Sequence, residues 1–226
     1  MVDIHDHYRP TGVSRTYPNL MTQEGIYGNE QFPDATHNAT LPFTRFVAGA
    51  ADYTICYYKQ EFKKLTTKEH KSTASPKSRI LKTTPAHQLA LSVVYYSPLQ
   101  FMFWYDKPSD SKDEPELKFF NDVYTVWDDT KVLQSEVGKC VSIARRKDRE
   151  WFVGGITNND TRKMEISLDF LDKKVKYDTE IYTDGNPDIP TRTKVLVTKK
   201  SVTNKDKLKF DLKPSGGVAI RFVPKK

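Results

Sequence analysis

The chain has 226 residues, of which 37% are hydrophobic and 12% aromatic, enough for one large or two modest domains with a packed core. The formal net charge is +7, yet residues 1–30 carry Asp3, Asp6, Glu24 and Glu30 against only Arg9 and Arg15. The excess Lys falls in 59–82 and from Lys139 onward, in turns and at alternate strand positions, as on a solvated face; with no nucleic-acid motif and no apolar run long enough to cross a bilayer, the sequence argues against nucleic-acid and membrane partners.

The first zone, from Met1 to about Tyr58, holds short apolar runs that end in polar clusters: Val2–Ile4 before His5-Asp6-His7, and Asn19–Met21 before Gln23-Glu24-Gly25. Buried strands that deliver polar side chains at their C-terminal ends are the way a (β/α)8 barrel builds a site. A third run, Phe46–Ala51, is ambiguous by periodicity. The chain opens inside an apparent strand with its densest polar cluster next, which raises the expectation of further sequence upstream. Glu61–Lys82 reads as an exposed polar loop. Thr83-Thr84-Pro85 then starts a helix, with Thr as N-cap and Pro in the first turn. Leu89, Val93, Tyr96 and Leu99 or Gln100 follow at helical spacing, Pro98 should kink or end the helix, and its expected place is outside the last barrel strand.

Asp106–Glu116 reads as a charged linker. Short strands with turns between them follow at Gly138–Arg146, Trp151–Thr157, Lys163–Phe170, Tyr177–Thr183, Thr193–Ser201, Lys207–Leu212 and Gly217–Val223, the signature of an antiparallel sandwich or sheet. The expected organisation is α/β plus all-β: the C-terminal part of a (β/α)8 barrel over 1–114 and an antiparallel β domain over 115–226. Cys56 and Cys140 suit neither a metal spacing nor a disulfide framework and read as buried thiols. Asn38-Ala-Thr and Asn159-Asp-Thr match glycosylation sequons.

Two clusters could carry chemistry. His5 and His7 share one face of a strand and could bind zinc, although no third ligand follows at a helpful spacing. Glu24 and Glu30 flank Gly25 and Gly28, whose freedom lets both carboxylates return to one cleft beside Asp6. Three converging carboxylates need either a hard cation, calcium above all, or one protonated member able to act as a general acid. A glycosidase uses an acid and a second carboxylate in this way. The alternatives are surface acids on a loop, or a non-catalytic carbohydrate-binding or structural β module.

The segments His5–Gly12, Arg15–Asn19, Glu24-Gly25, Gly28–Glu30, Leu41–Arg45, Ala48–Thr54, Gln88–Leu91, Tyr96–Gln100 and Trp127–Thr130 together resemble glycoside hydrolase family 97. The resemblance weakens in the Lys-rich insert and after Asp184. It implies a calcium-dependent enzyme cleaving α-glucosidic or α-galactosidic bonds of an oligosaccharide or α-glycoside. The corresponding region is the last barrel strands plus the C-terminal β domain, with the N-terminal part of the enzyme missing and the isolated chain inactive. It also implies Glu30 as general acid, Glu24, Glu30 and Asp6 as calcium ligands, Asp6 as a possible general base, and His5 as a substrate contact. Aspartate at position 6 departs from the family's glutamate or glycine and leaves the retaining or inverting outcome open. The family further implies export, into the periplasm of a bacterium.

Overall fold

The computed structural model describes residues 1–5, 9–57, 81–104, 109, 114–191 and 193–225. Asp6 and His7, most of the Lys-rich loop and most of the expected linker lie outside the described residues. The first half holds two separate pairs of short parallel strands. β1 (Val2–Ile4) pairs with β2 (Leu20–Gln23), and β3 (Ile55–Tyr57) pairs with β4 (Met102–Trp104). Between β2 and β3 run 3-10 turns and the short helix α1 (Ala35–Thr40), and the ambiguous Phe46 run is part of a 3-10 turn and loop.

Helix α2 (Pro85–Val94) starts as its sequence dictates: the Thr84 side chain accepts a hydrogen bond from the His87 amide, and Pro85 occupies the first turn, where a missing N–H costs nothing. Every residue from Ala86 to Val94 is buried, because the helix packs against β3 on one side and against the C-terminal strands on the other. It also stops before Pro98, because Tyr95 is already extended. A short helix, α3 (Leu117–Asp122), follows.

The second half is an antiparallel six-stranded sheet. Its members are β5 (Asp129–Glu136), β6 (Cys140–Lys147), β7 (Glu150–Thr157), β9 (Tyr177–Asp184), β10 (Val195–Val202) and β12 (Gly217–Pro224), in the order β10-β9-β12-β7-β6-β5. β8 (Arg162–Ser167) and β11 (Lys207–Leu212) form a separate antiparallel pair. All seven expected strands are present. Within this half, the strand that sequence reading missed, β5, is a mostly exposed edge without clean alternation, and a register shift falls between Val132 and Gln134.

Alternation along the central strands feeds two cores. On β7, Trp151 and Val153 face the β8–β11 side, whereas Phe152 and Ile156 face α2; on β12, Val218, Ile220 and Phe222 oppose Ala219 in the same way. The central strands are therefore apolar on both faces. Close approach of helix to sheet depends on Gly154, where an added Cβ would lie 2.4 Å from the Ala90 carbonyl oxygen.

Residues from the sheet satisfy both ends of α2. Asp184 on β9 accepts from Thr84 Oγ1 (2.7 Å), the Ala86 amide (3.2 Å) and the Gly217 amide (3.3 Å). Arg145 on β6 donates to the carbonyls of Val93 (2.6 Å) and Val94 (3.4 Å) and to Thr130 Oγ1 (3.0 Å). A negative group thus sits at the helix N-terminus and a positive one at its C-terminus, as the macrodipole favours. Burial brings the Arg145 pKa down to about 10, still charged at neutral pH.

His87 is fully buried. Its Nδ1 lies 3.2 Å from the Gly216 carbonyl, and the Asn38 amide nitrogen lies 3.1 Å from Nε2. A carbonyl can only accept and an amide nitrogen can only donate, so the ring is neutral with its proton on Nδ1. Asn38 also accepts from Tyr53 Oη at 2.5 Å, which removes that sequon from the surface. Cys56 and Cys140 are buried free thiols, as expected. Among the described residues, no helix is long and apolar enough to cross a membrane.

Two outcomes follow from this packing. Gly154→Ala should destabilise the chain by about 1–3 kcal/mol through overpacking, read as a lower urea midpoint at unchanged m-value. Burial lowers the His87 pKa from 6.5 to about 4. Below pH 6.5 the unfolded chain therefore binds a proton that the native chain refuses until about pH 4. Native stability should fall by about 2 kcal/mol from this group between about pH 7 and pH 5, and the loss should be absent in His87→Gln when urea midpoints are compared across that range.

Candidate active site

β1 and β2 run in parallel and end side by side, with Ile4 opposite Gln23, and the Glu24 amide donates to the Ile4 carbonyl at 2.7 Å. His5 and Glu24, the residues that follow each strand, therefore emerge next to one another. Gly25 takes φ +38°, a conformation glycine adopts without strain, and turns the chain after Glu24. Gly28 acts through space instead: its φ is ordinary, but a Cβ there would sit 3.0 Å from the Tyr53 carbonyl oxygen. The 3-10 turn Asn29–Gln31 follows and carries Glu30.

The result is a cleft of about 570 Å³ lined by His5, Arg9, Glu24, Tyr27, Glu30 and Gln31 among others. Glu24 is 8% exposed, Glu30 is exposed and the His5 side chain is half exposed. His5 Nδ1 lies 3.5 Å from Glu24 Oε2. Three of the four site residues inferred from the sequence thus meet in one cleft. Asp6 and the zinc candidate His7 lie outside the described residues.

Two acids absent from the sequence inference stand behind His5. Its Nε2 is 3.0 Å from Asp3 Oδ2 and 3.3 Å from Asp52 Oδ2. Partial burial pulls the imidazole pKa down, but the carboxylates of Asp3, Glu24, Asp52 and Glu30 outweigh it and raise the pKa above the ordinary value. Burial likewise raises both acids, against the opposing pull of His5 on Asp3 and of the Thr54 amide on Asp52. Asp3 could have been read from strand period two, since residues 3 and 5 share a face. Asp52, between Ala51 and Tyr53, carries no such signal.

Arg45 was also invisible as a positioning group. Its guanidinium donates to the carbonyls of Gln23 (2.9 Å), Glu24 (3.2 Å), Gly25 (3.0 Å), Gly49 (3.0 Å) and Ala50 (3.2 Å). The planar fork ties the Glu24 turn to the loop preceding Asp52. Lysine, with one nitrogen, cannot serve five acceptors spread in this way. Arg45→Lys should cost about 1–3 kcal/mol and speed hydrogen exchange at the Glu24 amide well beyond its effect on the β7 amides.

Comparison with known proteins follows the same lines. A family model described as glycosyl-hydrolase 97 C-terminal, oligomerisation, matches residues 126–223. The retaining alpha-galactosidase of Bacteroides thetaiotaomicron is 32% identical over 98% of this chain and 33% of its own length. A glycoside hydrolase family 97 enzyme from Pseudoalteromonas sp. strain K8, solved in complex with panose, superposes with a TM-score of 0.84 at 33% identity, over 99% of this chain and 35% of that one. A beta-arabinopyranosidase structure shares the fold at TM-score 0.74 and 24% identity. This chain spans about a third of the length of these relatives. It belongs to glycoside hydrolase family 97 and corresponds to the C-terminal portion of that family's enzymes.

Proposed function

We propose that this chain contributes the acid side of the catalytic site of an exported, calcium-dependent α-glycosidase acting on α-galactosides or α-glucosides. The observation that carries the reading is the meeting of Glu24, Glu30 and His5 in one cleft at the end of a parallel strand pair. The two parallel pairs, the first with His5 and Glu24 directly after its strands, support assigning residues 1–114 to the last strands of a (β/α)8 barrel. The residues suit calcium: Glu24 and Glu30 are hard oxygen donors on one cleft, and Asp6 would add a third. Calcium held there would neutralise the converging carboxylates and hold sugar hydroxyls.

Glu30 is the general acid. Its exposed carboxyl faces the cleft, where it can give its proton to the glycosidic oxygen as the bond to the anomeric carbon breaks. His5 presents an imidazole edge to sugar hydroxyls, and Arg45 keeps Glu24 at its place on the cleft wall. Asp6 is the candidate base of an inverting reaction. The retaining designation of the Bacteroides relative favours the other outcome, in which the nucleophile comes from outside this chain. A carbohydrate-binding β module without chemistry is disfavoured because it gives no role to carboxylates facing one cleft.

Assayed by itself with calcium and an aryl α-galactoside or α-glucoside, the chain should show no turnover, because the described cleft offers one acid and no placed nucleophile. A chimera in which it replaces the matching third of the Bacteroides enzyme should hydrolyse α-galactosides and lose activity on calcium chelation. In that chimera Glu30→Gln should lower kcat by about 10²–10⁴ on substrates with poor leaving groups, and by much less on activated aryl glycosides. An equal loss on both, or an active Glu30→Gln chimera, would refute the acid assignment.

A further inference from the structure

The two acids behind His5 have no part in the chemistry above. Asp52 is anchored on one side only: Oδ1 accepts from the Thr54 amide (3.0 Å) and the Phe101 amide (3.5 Å), while Oδ2 points at His5 Nε2, 3.3 Å away. Asp3, two residues before His5 on β1, places Oδ2 3.0 Å from the same nitrogen. The Asp52 and Asp3 side chains are 1% and 7% exposed. Asp52 Oδ2 and both Asp3 oxygens have no hydrogen-bond partner among the described residues. Leaving a buried carboxylate oxygen bare is costly, so the arrangement persists only if a donor meets it. The polar group placed to meet them is the imidazole, whose Nε2 lies within 3.3 Å of both Oδ2 atoms. Phe101 packs edge-on to its ring at 6.0 Å and limits rotation.

We propose that Asp3 and Asp52 are positioning residues for His5: they keep a proton on Nε2 and so fix the ring with Nδ1 on the cleft side, beside Glu24. The benefit to catalysis rests on the reading of His5 as a substrate contact, but the arrangement itself does not. A neutral imidazole carries one N–H, and which nitrogen bears it is set by the partner of the other. With two carboxylates facing Nε2, Nδ1 is held on the cleft side, 3.5 Å from Glu24 Oε2, in one defined orientation. Losing either carboxylate frees the tautomer and the ring angle together.

The test is long-range proton–nitrogen NMR of the whole chain labelled with nitrogen-15 histidine, in chelator. His5 should show a protonated Nε2, whereas His87 should show a protonated Nδ1 and so serves as an internal control. Asp52→Asn and Asp3→Asn should each shift the His5 ring nitrogens and leave His87 unmoved. A His5 ring with Nε2 bare, or one unmoved by both substitutions, overturns the proposal. So would loss of the His5 Nε2–H signal on adding zinc or calcium, abolished by either substitution, because the three groups would then be metal ligands. If Asp52→Asn disturbs His87, the wild-type tautomer and Asp3→Asn decide. None of these readouts requires turnover, so an inactive chimera would refute the glycosidase reading and leave this one standing.

Discussion

A helix buried on all sides must have its exposed backbone groups answered by something other than water, and α2 meets this constraint through the sheet. Its first amides and last carbonyls have no partners within the helix. Asp184 from β9 and Arg145 from β6 supply them, each with the sign of charge that its end of the dipole favours. Burial penalises both charges: it raises the carboxyl pKa of Asp184 and lowers the guanidinium pKa of Arg145. Multiple hydrogen bonds offset that penalty. Removing one partner would leave the other group buried and bare, so the sheet and helix stand or fall as a unit.

That unit reaches the cleft through a short relay of amides. Gln88, on α2, donates to Thr83 Oγ1 (2.7 Å) and accepts from Asn29 Nδ2 (3.1 Å). Asn29 directly precedes Glu30, and its own amide bonds the Tyr53 carbonyl. Tyr53 in turn meets Asn38, and Asn38 meets His87. The turn that carries the acid is thus tied to the helix, and the helix to the β sheet. A β domain that lends the cleft no side chain among the described residues can still set the position of Glu30, because every link is a buried hydrogen bond whose alternative is an unsatisfied polar group.

Much of this was legible in the sequence, for identifiable reasons. Thr84-Pro85 marked the start of α2 because capping is a local property, and Met164–Phe170 marked a strand because half-buried strands alternate. The end of α2 was not legible, since Arg145, 51 residues after Val94, takes the last carbonyls. β5 hid because an edge strand with a register shift has no clean period, and reading Asp106–Glu116 as a charged linker missed that its last residue packs inside, directly before α3. Glu116 shows the error most directly: it is fully buried and accepts from Trp104 Nε1 and Thr193 Oγ1. At the site, Glu24 and Glu30 were legible from their glycine-spaced pattern, whereas Arg45 and Asp52 act through contacts that no local pattern encodes.

The contrast between Asp184 and the pair Asp3 and Asp52 separates scaffold from site. Asp184 has donors on both oxygens and serves only to hold α2. Asp3 has none on either oxygen among the described residues, and Asp52 has them on one oxygen only. A protein selected for stability alone would replace such bare carboxylates with apolar groups of similar size, which costs little and relieves the desolvation. Their presence next to His5, at the mouth of a polar cleft, is unfavourable for folding and so requires a reason outside folding. The exposed side chain they face supplies that reason: an imidazole can be held in one orientation only by groups that would prefer not to be buried without it.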